Sequence, residues 1–383
     1  MPHILSIKKS ELYAICLLMI IIMETAFVNT PLQTYNLFLN RIIFFLEIII
    51  FIIFLTLEKY TKKSILFLLE LCLIFLCSYF VLNSSILFKM FMIAMAVAKI
   101  GTGKSFELVF KFKTFFLLVI IGLSVLGIIP NSYVQIEKGI GTTYGYGLGF
   151  THPNRLASAI CFTILCYICW KNEKLKFKNV LTIGFITLIS FYITKSRTLL
   201  YCISIFFMFY VFLKTNLTKK YIKKFLENIG IISVPLSIAI SVVLPVLLLT
   251  STGTIQRIVF DINRLFSRRF THIEHIFLTY PVSLTGGLFD TNSMEELFGY
   301  SVVDNGYINF LYQYGIIGLA LFATISVVSF IKIKKKKEYI WMIIFIIVAI
   351  EGLLENIYIN IGLNLLVLFW GEVMNTKRKE LRQ

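Results

Sequence analysis

Apolar blocks recur from one end of this chain to the other, many of them long enough to cross a bilayer, and nothing else limits its fold so strictly. A helix needs about 20 mainly apolar residues to span the hydrocarbon core. Twelve such segments can be marked, at about 12–28, 38–57, 64–82, 86–100, 113–130, 153–170, 179–194, 198–213, 229–249, 305–331, 339–353 and 357–372. In lipid, an open segment satisfies its own backbone only as a helix. The expected fold class is therefore all-α: a polytopic integral membrane protein of about 12 transmembrane helices, one multi-pass domain over residues 1–383. Hydrophobic residues make up 58% of the chain and charged residues 15%, too little polar surface to coat a soluble domain. A soluble enzyme, a secreted disulfide scaffold and a disordered chain are excluded. The seven cysteines all fall inside apolar blocks, and Cys166-x-x-Cys169 lacks a second pair or nearby His, so they read as packing residues. The first block follows Lys8 and Lys9, but it contains Glu24 and lacks a small-x-small cleavage site, which predicts a retained helix.

Charge sets the expected orientation. The net charge is +17, and in a membrane chain such an excess reflects loops held in the cytoplasm rather than nucleic-acid binding. With the N-terminus inside, the lysine-rich stretches 104–113, 171–178, 214–224 and 332–337 and the 377–382 tail all fall on the cytoplasmic side, as do both termini. Seven of the nine arginines fall outside: Arg41, Arg155, Arg197, Arg257, Arg264, Arg268 and Arg269. Lysine suffices as a point charge, whereas the planar guanidinium fork grips phosphate or carboxylate in two places. An external anion site is the functional reading and snorkelling flanks are the plain one.

Two external loops are long: 131–152, rich in Gly and Tyr, and 250–303, inserted between the ninth and tenth helices. The first leaves two readings open, a tyrosine-bearing surface for sugar or a flexible loop. At its end, Thr151-His152-Pro153-Asn154-Arg155 opens the sixth helix, with Pro at the first helical position and His152 expected as the cap. His152, Arg155 and the positive end of a helix dipole then share one surface. Lys195-Ser196-Arg197-Thr198 makes a tight outer turn. In the second loop, 256–280 has helical period and predicts one amphipathic helix on the outer leaflet. Arg269 falls within its apolar stripe, and His272 and His275 on a solvated face. Asp304-Asn-Gly-Tyr307, Leu311, Gly315 and Gly318 share one face of the tenth helix, with Asp304 either its cap or a carboxylate at an outer cavity. Glu24, Glu47 and Glu70 lie inside the first three helices, while Glu351 and Glu355 lie near the last outer hairpin. Intramembrane carboxylates are functional suspects, with pairing to Lys89 or an arginine as the structural alternative and a proton relay as the third reading. Neither AKIGTGKS at 98–105 nor the GYGLG glycines at 145–149 follows a strand in a βαβ unit, so no nucleotide site is expected.

His152-Pro-Asn154, Ser196-Arg197, Asn263-Arg-Leu-Phe-Ser-Arg-Arg269 and Asp304-Asn-x-Tyr307 with its spaced glycines resemble the Wzy-type polysaccharide polymerases, relatives of the O-antigen ligases. The ligases typically carry His-Asn where this chain has Asp304-Asn305, which favours polymerase. Arg268 stands where the commoner Ser-Gly-Arg form has Gly, leaving Arg269 as the matching arginine. The resemblance implies a metal-independent glycosyltransferase without cofactor, multi-pass in the bacterial cytoplasmic membrane with its active site outside. It would join polyprenyl-diphosphate-linked oligosaccharide repeats into a surface polysaccharide (O-antigen, capsule or exopolysaccharide). Expected partners are those lipid-linked oligosaccharides and membrane lipid, with a flippase and a chain-length regulator as protein partners, and no nucleic acid. The implied roles are catalysis for Asp304 and His152, diphosphate binding for Arg197, Arg269 and Arg155, and glycan contact for Tyr144, Tyr146 and Tyr307. The competing readings are a lipid-linked oligosaccharide flippase and an O-antigen-type ligase.

Overall fold

The computed structural model describes residues 9–32, 37–58, 79, 84–137, 142–287, 291–299 and 303–374. They form two compact units. One comprises 1–77, 85–210 and 361–383, the other 78–84 and 211–360. The expected third helix at 64–82, with Glu70, lies outside the described residues apart from Tyr79. Among the described residues the fold is helical with one small β-hairpin. Among the described residues, six helices are long and apolar enough to cross a membrane; the expectation was about twelve.

The first unit holds α1 (Lys9–Ala26), α2 (Leu37–Thr56), α3 (Ile86–Ile100), α4 (Thr102–Val125), the hairpin β1 (Tyr133–Glu137) and β2 (Thr142–Tyr146), α5 (Pro153–Lys171), α6 (Phe177–Thr194), most of α7 (Arg197–Lys214), and α14 (Leu366–Met374). Its centre is α3, apolar apart from Lys89 and Lys99 and buried from Leu87 through Val97. A helix with no polar face needs cover all round, and α1, α4 and α14 supply it. Aromatic edges lock the packing, with Phe51 5.8 Å from Phe91 and Phe106 5.2 Å from Phe369 between ring centroids. Cys161, Cys166, Cys169 and Cys202 are buried and unbridged.

Three boundaries depart from the sequence reading here. Lys104, Lys111 and Lys113 ride on α4, which starts at Thr102, because Gly101 turns the chain at φ 94° and helix resumes at once. The 357–372 segment is helical only over Leu366–Met374: Asn360, Gly362 and Asn364 favour the turns that precede it. The 131–152 loop carries the hairpin rather than a flexible coil, with Tyr133 paired to Tyr146 and Gln135 to Tyr144.

The second unit holds α8 (Lys219–Thr250), α9 (Gly253–Leu265), α10 (Arg269–Thr279), α11 (Thr291–Phe298), α12 (Gly306–Lys336) and α13 (Tyr339–Leu354). α8 is the backbone of this unit, against which α9, α10, α12 and α13 pack. It begins at Lys219, so basic residues expected in a loop are helical. Tyr307, Phe310, Phe322 and Tyr358 form its aromatic core, with Tyr307–Tyr358, Phe310–Phe322 and Phe322–Tyr358 ring centroids each 4.8 Å apart. α12 is not one straight face. Gly315 leaves helical geometry at φ 70°, and the freed Ile316 and Ile317 amides donate to the carbonyls of Ser283 and Leu284, both at 3.1 Å. A Cβ at Gly315 would collide with Leu284 O and Gly286 N, so only glycine fits. The spaced-glycine face from Asp304 to Gly318 is thus interrupted where the outer loop returns to the helix.

Candidate functional site

In the first unit, most of the sequence-selected residues meet at one end. His152 caps α5 as expected: its Nδ1 accepts a hydrogen bond from Asn154 N at 3.1 Å, with Pro153 at the first helical position. Arg155 lies in the same first turn. The hairpin packs onto this point and onto the end of α6. Gly145 of β2 approaches so closely that a Cβ would sit 2.7 Å from Thr194 O and 3.4 Å from Pro153. Thr194 begins the turn that delivers Arg197, in which Lys195 adopts φ 57° and Ser196 N donates to Thr194 Oγ1 at 3.3 Å. Arg197, the first residue of α7, is exposed, while Arg155 is half-buried.

The hairpin register sorts its side chains. Directly paired residues and those two apart share a face, which puts Tyr133, Tyr144 and Tyr146 together. All three are exposed, and the rings of Tyr133 and Tyr144 meet edge to face at 6.0 Å. This end of the unit therefore offers cations, a helix N-terminus and a row of tyrosines.

His152 has a chemical limit. A neutral imidazole has one lone pair on its ring nitrogens. Accepting from Asn154 at Nδ1 uses that lone pair and leaves the proton on Nε2. While it caps α5, His152 has nothing left with which to take a proton.

In the second unit the expected single helix over 256–280 is two helices joined by a tight turn. Ser267 and Arg268 take left-handed φ values of 55° and 60°. Asn263 makes the turn, burying its amide, accepting from Phe270 N at 3.0 Å and donating to Thr271 Oγ1 at 2.7 Å. The Asn263–Arg269 run is thus a device that places Arg269 at the start of α10. The side chain of Arg269 is 14% exposed, and its Nη2 lies 3.1 Å from Glu355 Oε1 and 3.4 Å from Asp304 Oδ2. Among the described residues, no other acceptor takes the remaining donors of this guanidinium.

Asp304 does not cap α12. Asn305 does, its side-chain oxygen accepting from Tyr307 N and Ile308 N, both at 3.0 Å, while its amide donates to Ser241 Oγ at 3.0 Å. The cap explanation for Asp304 is removed. Its side chain is 32% exposed and that of Glu355 only 3%, so Asp304 is the carboxylate within reach of a solute. Tyr307 is corrected as a glycan contact. It is fully buried, its hydroxyl donating to Ala349 O at 2.9 Å and accepting from Tyr358 at 2.9 Å, with no face free.

The sequence reading placed His272 on a solvated face, and the structure corrects this. It sits one helical turn after Arg269 on α10, half-buried. Burial pushes its imidazole below the ordinary value, Asp304 pulls it back up, and His275 and Arg269 push it down. At neutral pH it is an uncharged ring within the field of Asp304. The only sequence signal was its i+3 spacing from Arg269.

Arg269, Asp304 and Glu355 sum to one net negative charge, whereas the Arg155–Lys195–Arg197 end of the first unit is cationic. The carboxylate cluster suits proton handling on a substrate hydroxyl, and the cationic end suits a phosphate. No protein-family model matches the chain, and no curated protein or solved structure matches it.

Proposed function

We propose that the chain is a membrane glycosyltransferase that polymerises polyprenyl-diphosphate-linked oligosaccharide repeats into a surface polysaccharide on the outer face of a bacterial cytoplasmic membrane. The observation that carries this reading is Asp304: an accessible carboxylate that caps nothing and is held 3.4 Å from Arg269 Nη2. In the reaction, a hydroxyl of one repeat attacks the anomeric carbon of another, the bond to the diphosphate breaks, and the hydroxyl proton leaves. Asp304 takes that proton. Charge grows on the departing diphosphate, and arginine forks stabilise such charge where water is scarce. The open donors of Arg269, in the same unit as Asp304, are assigned that role, and Arg197 and Arg155, at the cationic end of the other unit, are assigned to phosphate binding there. Tyr144 and Tyr146, with Tyr133 beside them, are assigned to the glycan, because exposed aromatic faces on a fixed hairpin pack against sugar rings at little entropic cost. His152 orders the start of α5.

Purified protein incubated with a synthetic lipid-linked repeat should build a ladder of products spaced by one repeat. Absence of any ladder with a repeat that its own cells polymerise overturns the reading. One observation favours a flippase instead: the clustered charges Glu24, Glu47 and Lys89 in the first unit. Deletion cells discriminate. Single repeats accumulating outside support the polymerase, untranslocated repeats inside support the flippase, and free full-length polymer supports a ligase.

A further inference from the structure

The first unit gathers three charged side chains at one point, Lys89 and Glu47 buried and Glu24 partly buried. Lys89 of α3 is 4% exposed and forms ion pairs with Glu24 of α1 and, at 3.1 Å, with Glu47 of α2. Glu47 is fully buried, and neither of its oxygens has a well-directed hydrogen bond. If all three groups are ionised, the cluster carries one net negative charge. A lone uncompensated charge in a low-dielectric interior costs far more than binding a counter-charge, and such groups neutralise instead.

Among the described residues, no neighbour supplies the missing cation. Lys89 and Glu24 are the charges that act on Glu47. On α2, Arg41 is exposed. On α4, Lys104 pairs with Glu11 and Lys111 with Glu107, while Lys113 turns to Thr25 Oγ1 at 3.5 Å and the Phe162 ring at 5.8 Å. On α3, Lys99 pairs with Glu58; on α14, Glu372 accepts from Thr102. The 64–82 stretch, outside the described residues apart from Tyr79, carries Glu70 as its single charged residue.

We propose that the Glu24–Lys89–Glu47 cluster is a proton-binding site, holding one proton on the Glu47 carboxyl at neutral pH. The proton comes from water and adds to a carboxylate oxygen. Lys89 stays an ammonium, Glu24 stays its counter-ion, and the sum is zero. A metal cation fits poorly, because hard cations want several oxygen ligands and here the Lys89 ammonium stands between the two carboxylates. Glu47 takes the proton rather than Glu24 because it is the more deeply buried of the two, at 0% against 15% side-chain exposure. The assignment is independent of the glycosyltransferase reading and holds equally for a transporter.

Infrared difference spectroscopy on the purified full chain in lipid nanodiscs tests it. At neutral pH, Glu47→Gln and Glu24→Gln should each lose the carbonyl-stretch intensity of one protonated carboxyl, since either leaves a neutral Lys–Glu pair. Lys89→Met should gain the intensity of one more, because both carboxyls must then be neutral. Other buried carboxyls cancel in the differences. Unchanged carboxyl intensity in both Gln variants overturns the proposal. Should the variants fail to fold, the unaltered protein decides: dicyclohexylcarbodiimide attacks only protonated carboxyls in apolar surroundings. A neutral-pH adduct mapped by mass spectrometry to Glu47 supports the site, and no adduct on Glu47 or Glu24 refutes it.

Discussion

Arg269 Nη2 lies 3.1 Å from Glu355 Oε1, and that carboxylate is almost wholly buried. Glu355 faces no substrate, so its role is to hold the guanidinium. Removing one member of a buried ion pair strands the other, at about 3–5 kcal/mol. Arg269→Met should therefore lower thermal stability sharply as well as abolish polymerisation. Adding Glu355→Gln removes the stranded charge and should restore most of the stability while activity stays absent. If the double variant regains chain growth, Arg269 is a structural partner of Glu355 and nothing more.

Asp304 and Asn305 are adjacent yet separable. Asn305→Ala deletes a buried cap and the bond to Ser241, and cap loss alone costs about 0.5–2 kcal/mol. It should appear chiefly as reduced stability or expression. Asp304→Asn keeps shape and polarity but cannot accept a proton, and loss of a general base costs about 10²–10⁴ in rate. Normal folding with a rate reduced to that extent is expected in the ladder assay. Near-normal chain growth would remove Asp304 from the chemistry, and the capped His152 could not inherit the role without releasing Asn154.

Arginine and lysine separate fork from charge. Arg197→Lys should lose most polymerisation if its guanidinium grips a diphosphate at two oxygens. Arg264→Lys, exposed on α9 and 4.0 Å from Asp261, should be almost silent, since surface pairs contribute little. Equal tolerance at both positions means that Arg197 supplies only general charge.

What the sequence disclosed depended on how local the cause was. His152 as a cap was legible because His-Pro at a helix start is a one-turn signal, and Arg269 stood out because it interrupts an apolar stripe. The break after Leu265 was not legible. It depends on Asn263 reaching across the turn to Phe270 and Thr271, and helical periodicity passes through 266–268 without a fault. Asp304 was misassigned as a possible cap because Asp and Asn both suit that position, and only the backbone shows which of two neighbours occupies it. For Glu355 an arginine partner was legible as an alternative, but not which arginine, since 86 residues separate it from Arg269. Gly145 suggested flexibility, yet it is fixed by contact with Thr194 and Pro153, a pairing that exists only in three dimensions.

The last expectation concerns acid. Burial, with His275 and Arg269 behind it, holds His272 below the ordinary histidine value despite the opposing pull of Asp304. In the unfolded chain the ring titrates near 6.5. Between that value and the lowered one, the unfolded chain binds a proton that the folded chain does not, so stability falls as pH drops through this window. Above about pH 7 the group contributes no slope, and below the lowered value the loss levels off. Protonation also sets a second cation beside Asp304, which stabilises its carboxylate and weakens it as a base. Thermal midpoint and polymerisation rate should therefore decline together on acidification from pH 7, and His272→Gln should flatten both profiles over that range. A wild-type decline that survives the substitution would place the acid-sensitive group elsewhere in the chain.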